Sequence, residues 1–267
     1  MLGAIIGDIV GSRFEGTNMK SKEFTLFTTM CSVTDDSIMS LAIAKAILSC
    51  NGDYNCLGNA AIRYMKEIGK MYPSCGYAEW FRLWVLSDDC EPYESFGNGS
   101  AMRVSACGFA ATSMDEAIDL CRKVTEVTHN HPEGLKGAEA TTAAIYMARK
   151  GCSIAEIKNY INENYYPMNF SLDAIRDEYT FDVTCQGSVP QAITAFLESN
   201  CFEDAIRNAI SIGGDSDTIA AITGSIAEAY YGIPVKMRNC ALLFLDEFQV
   251  GILSEFEGEF GFKIFEK

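Results

Sequence analysis

Gly213-Gly214-Asp215-Ser216-Asp217-Thr218 leads directly into the run Ile219 to Tyr231. Two consecutive glycines suit a tight turn out of a preceding helix, and Asp215, Ser216 and Thr218 are residue types that cap or begin the next one. Oxygen donors therefore gather at a helix start. Asp215 and Thr218 are three apart and overhang the same side of a first turn, and Asp217 joins them where that turn is not yet fully helical. Two carboxylates and a hydroxyl this close offer magnesium, calcium or manganese its preferred donors. The same acids also serve ordinary capping and dipole compensation. Taken alone, the stretch leaves both readings open.

A second cluster mirrors the first. Thr34-Asp35-Asp36-Ser37 precedes the apolar-periodic run Ile38 to Leu48, again with hydroxyl and carboxylates at the mouth of a helix. If the two turns face each other, four carboxylates share one small volume, and like charges that close resist joint ionisation. Two divalent cations about 3.5–4 Å apart would resolve the conflict, an arrangement that suits hydrolytic chemistry.

Other stretches stand out along the chain. Gly3, Gly7 and Gly11 line one face of an apolar helix with no side chains, which lets a buried helix pack closely in spite of Asp8 within it. Glu15, in the loop that follows, reads by itself as a solvated surface acid. Gly97-Asn98-Gly99-Ser100 leads into an apolar helix over Ala101 to Thr112. Such a junction is a plain interhelical turn capped by Ser100, or one whose backbone and free amides approach a ligand. Arg103 could hold a phosphate, but a surplus carboxylate is the preferred partner. His129 and His131 are the two histidines. No cysteine or carboxylate stands at zinc-ligand spacing from them, so a neutral histidine bonding a ribose or phosphate is the better reading. Pro132 suits the first position of the next helix.

Taken together these motifs resemble the ADP-ribosylglycohydrolase family, which includes the dinitrogenase-reductase-activating glycohydrolases. The matching stretches are Gly7 to Glu15, Thr34-Asp35-Asp36, Gly97 to Arg103, Val127 to Gly134 and Gly214 to Thr218; they fall in the family's order between about residue 3 and about residue 234. The resemblance implies two magnesium ions, with manganese as an alternative. Thr34, Asp35, Asp36 and Asp217 would hold one; Asp35 would bridge to a second, completed by Asp215, Asp217 and Thr218. It gives Glu15 a functional place near the metals, with Asp35 and Asp36 as further catalytic acids, and assigns ligand binding to Asn98, Gly99, Ser100, Met102, Arg103 and His129, leaving His131 as a helix cap. The implied reaction is hydrolysis of the bond between the anomeric carbon of ADP-ribose and a protein side chain, so the expected partner is an ADP-ribosylated protein or ADP-ribose. The alternatives are an inactive ADP-ribose-binding or crystallin-like protein on the same fold, and a two-metal phosphoesterase that would cut within the pyrophosphate.

The remaining composition bounds this reading. The 267 residues are 48% hydrophobic and 21% charged, ordinary for a globular protein. A net charge of −15 disfavours a nucleic-acid backbone or an anionic membrane as direct partner. Eleven irregularly spaced cysteines without a C-x-x-C pair read as free thiols of a reducing cytoplasm. The first residues lack the basic segment of a signal peptide, and no apolar run reaches the ~20 residues of a membrane span. β-type alternation, internal repeats and low-complexity linkers are absent. The expectation is therefore one all-α domain over residues 1–267, of ten or more helices, acting as a monomer. Residues 168–187 are the least regular, and the tail from Glu255 is not assigned.

Overall fold

A computed structural model describes residues 1–261 of the chain. Fifteen α-helices run through them: α1 (Leu2–Ser12), α2 (Asp35–Ser49), α3 (Leu57–Met71), α4 (Glu79–Leu86), α5 (Gly99–Met102), α6 (Ser105–Ala110), α7 (Met114–Thr125), α8 (Pro132–Arg149), α9 (Ile154–Asn164), α10 (Leu172–Ile175), α11 (Cys185–Leu197), α12 (Phe202–Ile210), α13 (Ser216–Tyr231), α14 (Val235–Leu242) and α15 (Glu247–Phe260). The fold is all-α, as expected; an isolated antiparallel bridge between Gly97 and Thr184 is the one β pairing among the described residues. Among these residues no helix is long and apolar enough to cross a membrane.

The axis of the molecule is α13. Every residue from Ser216 to Glu228 is buried, and Ile219, Ala220, Ala221, Ile222, Gly224 and Ile226 leave it without a polar face. A helix apolar all round has to be enclosed by others, and α1, α8, α11 and α12 pack against it.

The closest of these neighbours is α1, and its glycines explain why. Gly3 meets the backbone of Gly224, Gly7 that of Ala220, and Gly11 that of Ser216 and Asp217. A methyl group at any of the three would stand well inside van der Waals contact with that backbone, so side chains are excluded by space. Residue numbers rise along α1 as they fall along α13, which makes the pair antiparallel. The far end is tied by Gly3 N donating to Glu228 Oε2 at 2.6 Å. This register brings Asp8, near the end of α1, to the beginning of α13.

Two boundaries differ from the sequence reading. The helix expected over Ala101 to Thr112 is divided into α5 and α6, with Arg103 and Val104 between them. The helix expected over Val235 to Val250 is likewise two, because Asp246 starts α15 afresh through a reciprocal capping box with Gln249. That helix takes up the unassigned tail as far as Phe260, while residues 262–267 lie outside the described part.

Candidate functional site

The starts of α2 and α13 do face each other. Gly213 and Gly214 both have φ of +73°, a left-handed pair that turns the chain sharply into α13. Thr218, in the first turn, donates from Oγ1 to Asp36 Oδ2 across the gap at 3.2 Å. No acid supplies the N-cap bond of either helix, although Asp217 Oδ1 accepts from Thr218 N at 3.0 Å in the first turn of α13. Asp215 occupies the N-cap position of α13 but makes no side-chain cap bond; its Oδ2 accepts instead from Asn98 Nδ2 at 2.7 Å. In α2 the cap is Thr34, whose Oγ1 accepts from Asp36 N at 3.4 Å, leaving Asp35 and Asp36 for other work.

An acid not assigned from the sequence completes the floor. Asp8, fully buried, accepts from Thr34 N at 3.0 Å, Thr34 Oγ1 at 2.6 Å, Ser37 N at 3.2 Å and the Ser37 hydroxyl. Three of these donors converge on Oδ2 and one on Oδ1. The carboxylate therefore acts as a clamp on the start of α2, fixing the Thr34 hydroxyl with its proton toward Asp8. The signal was present in the sequence: an acid inside a helix lined with glycines has to be buried, and a buried carboxylate needs donors.

Two carboxylate triads result, with one ligand oxygen from each member within 4.8 Å of the others: Asp8, Asp36 and Asp217, and Glu15, Asp215 and Asp217. The acid common to both is Asp217. Asp35, half-buried beside them with its N bonded to Cys75 O at 2.8 Å, is in neither triad. Burial pushes the carboxyl of Asp36 well above its usual range, and the charges of Asp217, Asp8, Asp35 and Asp215 push it further. Asp217 is raised well above it by burial and then by Asp215, and Asp215 is raised by burial. Asp35 is pushed up to about 7, by burial first and by Asp8 second. Glu15, exposed at the rim, is raised by partial burial and by Asp215 and Asp8.

These acids lack positive charge. None forms an ion pair with lysine or arginine among the described residues. Asp36 Oδ1 is buried with no hydrogen-bond partner, and an orphaned carboxylate oxygen at such depth is costly unless a cation meets it. The donors are all oxygen, two of them hydroxyls, and they suit a hard divalent ion.

Beside the acids runs the turn Gly97 to Ser100, and the structure sorts its expected ligand-binding residues. Asn98 is buried against Asp215 and Ser188, with Nδ2 reaching both. Ser100 is fully buried and donates to Gly97 O and Gly134 O at 3.1 and 2.9 Å, so its hydroxyl is held within the protein. Met102 lies buried beneath the turn. Gly99 is where His129 comes close: a methyl group there would stand 3.5 Å from Nε2. Arg103 corrects the sequence reading, since its partner is no carboxylate; Nη2 donates to Thr128 Oγ1 at 2.6 Å. His131 caps α8, its Nδ1 accepting from Glu133 N at 3.1 Å. Residues 168–187 acquire a place here too. Val183 O accepts from Asn98 N, Cys185 N donates to Phe96 O, and Tyr179 lies against Gly214, so this irregular segment braces both glycine turns.

Comparison with known proteins agrees with this architecture. The family model for ADP-ribosylglycohydrolase matches residues 1–242. The chain belongs to the ADP-ribosylglycohydrolase family. Among curated relatives, ADP-ribosylhydrolase ARH3 of Xenopus tropicalis is 27% identical, covering 90% of this chain and 89% of that protein. ARH3 of Homo sapiens is 25% identical over 87% and 84%, and ADP-ribosylarginine hydrolase Tri1 of Pseudomonas putida (strain GB-1) 25% over 75% and 59%. A solved structure described as an ADP-ribosylglycohydrolase-related protein complex superposes with a TM-score of 0.70 at 22% identity, covering 97% of this chain and 95% of that one. In this member of the ADP-ribosylglycohydrolase family, the two acidic helix starts and the glycine turn adjoin through the Asn98–Asp215 bond.

Proposed function

We propose that the protein hydrolyses the bond joining the anomeric carbon of ADP-ribose to a protein side chain, using two divalent cations, magnesium or manganese. The observation that carries this reading is the meeting of the two carboxylate triads at Asp217, with the orphaned Asp36 Oδ1 between the starts of α2 and α13. The names of the ARH3 and Tri1 relatives support ADP-ribosyl cleavage over phosphoester cleavage.

The cations would be held by Thr34, Asp35, Asp36, Asp215, Asp217 and Thr218. When bound, they supply the charge that lets these acids ionise together and polarise the ribose oxygens. Departure of the side-chain group leaves an oxocarbenium-like sugar, whose developing positive charge the surrounding carboxylates stabilise. Proton transfer falls to Glu15. Asp36 is 2% exposed and accepts from the Thr218 hydroxyl, whereas Glu15 is exposed at the rim, where it can give a proton to the departing side-chain group and then recover one from the attacking water. Asp8 orients Thr34, and Asn98 orients Asp215. The free cysteines support a reducing compartment, the cytoplasm.

Incubation with arginine-linked and with serine-linked ADP-ribosylated protein, followed by mass spectrometry of the products, tests the reaction. Free ADP-ribose from either substrate is the expected product. AMP with a ribose phosphate left on the protein would identify a phosphoesterase instead, and ADP-ribose binding with no product from either linkage would identify a binding protein.

A further inference from the structure

Arg103 is 1% exposed and has no carboxylate partner among the described residues. Its Nη2 donates to Thr128 Oγ1 at 2.6 Å and stands 3.5 Å from His129 Nδ1, while its Nε is buried without a partner. The far side is apolar, with the guanidinium carbon 5.7 Å from the centre of the Phe81 ring. An unpaired guanidinium is costly to bury, and a chain of net charge −15 has acids to spare for pairing. Arg103 is directed instead at a threonine and a histidine.

The proton arrangement follows from donor chemistry. A guanidinium donates and never accepts, so the Thr128 oxygen accepts from Arg103. The threonine's own proton then has one acceptor in reach among the described residues, His129 Nδ1 at 2.8 Å. If Nδ1 carried a hydrogen, two donors would converge on Thr128 Oγ1 and the threonine proton would have no acceptor. Nδ1 is therefore the lone-pair nitrogen, and the proton of the neutral ring sits on Nε2. That nitrogen has no hydrogen-bond partner among the described residues. It faces the glycine turn: a methyl group at Gly97 would stand 3.6 Å from it, and one at Gly99 3.5 Å.

We infer that Arg103 and Thr128 are positioning residues that fix His129 as a neutral donor protonated on Nε2, aimed over the Gly97–Gly99 turn at an oxygen of the bound ADP-ribosyl group. The identity of that ligand rests on the function proposed above; the protonation pattern does not. Burial lowers the pKa of His129 well below its ordinary value, and the charge of Arg103 lowers it further, so the ring stays neutral. An adjacent guanidinium thus keeps the histidine a donor through Nε2 without making it a cation.

The chain has two histidines, so long-range proton–nitrogen correlation NMR on protein labelled with ¹⁵N-histidine resolves both rings, and His131→Asn assigns them. His129 is expected as a single tautomer with protonated Nε2 before any ligand is added, and its Nε2 resonance is expected to shift on titration with ADP-ribose. Thr128→Val should mix or reverse the tautomers and weaken ADP-ribose binding about 5- to 20-fold, the effect of one lost hydrogen bond. Thr128→Ser should restore both. A proton on Nδ1 in the unaltered protein, an imidazolium at neutral pH, or a tautomer unmoved in folded Thr128→Val would each overturn the relay. The expected tautomer with no Nε2 response to bound ADP-ribose would overturn its aim at that ligand. Failure of the hydrolase reading is distinguishable, since it leaves ADP-ribose binding and the Nε2 response intact while no ADP-ribose is released.

Discussion

Single carboxylates in this site differ by what already holds them. Asp8 accepts from four donors and clamps a helix start. Asp36 keeps one buried oxygen free, and Glu15 stands at the rim. Replacing Glu15 by Gln should lower kcat about 10²- to 10⁴-fold, the usual contribution of a positioned acid–base group, while thermal stabilisation by magnesium persists because Asp36 and Asp217 remain. An unchanged kcat would return Glu15 to the role of a surface acid. The position of Thr34, Asp35, Asp36, Asp215, Asp217 and Thr218 at two helix starts was legible in the sequence, because cap positions and hydroxyl–carboxylate spacing are local. Three features depend on contacts between residues distant in the chain and were not legible. These are the clamp from Asp8, the hold of Asn98 on Asp215, and the turn of Arg103 away from carboxylates toward Thr128. The shared place of Asp217 in both triads likewise follows from packing.

At the scale of elements, the acidic centre depends on how closely α1 lies along α13. Gly7 sits against the backbone of Ala220 with no room for a methyl group. Gly7→Ala should therefore force the helices apart at about 1–3 kcal/mol, typical of overpacking, a fall in Tm of roughly 3–10 °C. It should also weaken magnesium binding, since the same contact sets Asp8 against the start of α13. Gly258, within α15, has nothing within 4 Å of an added methyl, so Gly258→Ala should leave Tm unchanged or slightly raised through better helix propensity. Equal losses in the two variants would point to a general intolerance of substitution and not to this interface. The glycine spacing announced a close helix contact, yet named no partner. The capping box at Asp246 follows a sequence rule that the continuous apolar pattern over Val235 to Val250 obscured.

For the whole molecule, the concentration of acids makes stability depend on pH and on cations together. Asp35, Asp36, Asp215 and Asp217 all have native pKa values above the ordinary carboxylate range. Between that range and their raised values the folded chain binds protons that the unfolded chain has released, so stability falls as pH rises. His129 acts oppositely, because its lowered pKa makes the unfolded chain the stronger proton binder below about 6.5. The buried amino terminus of Met1, lowered by burial, acts as His129 does, while Asp8 and Glu15 are raised like the other acids, so two groups stand against six. Metal-free protein should thus lose a few degrees of Tm between pH 5.5 and 7.5, an interval in which Asp35, raised to about 7, gives up a proton that the unfolded chain has already released. Magnesium should remove the loss. A Tm that rises over this interval without metal would contradict the electrostatic picture. The all-α architecture was legible from helical periodicity and from the absence of strand alternation, since a chain of many short helices advertises each by its own caps. The bracing of both glycine turns by residues 168–187 was not, because that segment has little periodic pattern and works through backbone hydrogen bonds.

The most direct test of a metal-dependent centre built on Asp217 is release of free ADP-ribose from arginine-linked ADP-ribosylated protein. It should be measured with magnesium, with a chelator, and with the Asp217→Asn variant, and repeated on serine-linked substrate. Release that requires magnesium and falls by at least about 10³-fold in the variant is the expected result, since Asp217 serves both carboxylate triads. Release that survives the chelator, or that Asp217→Asn leaves intact, would contradict it.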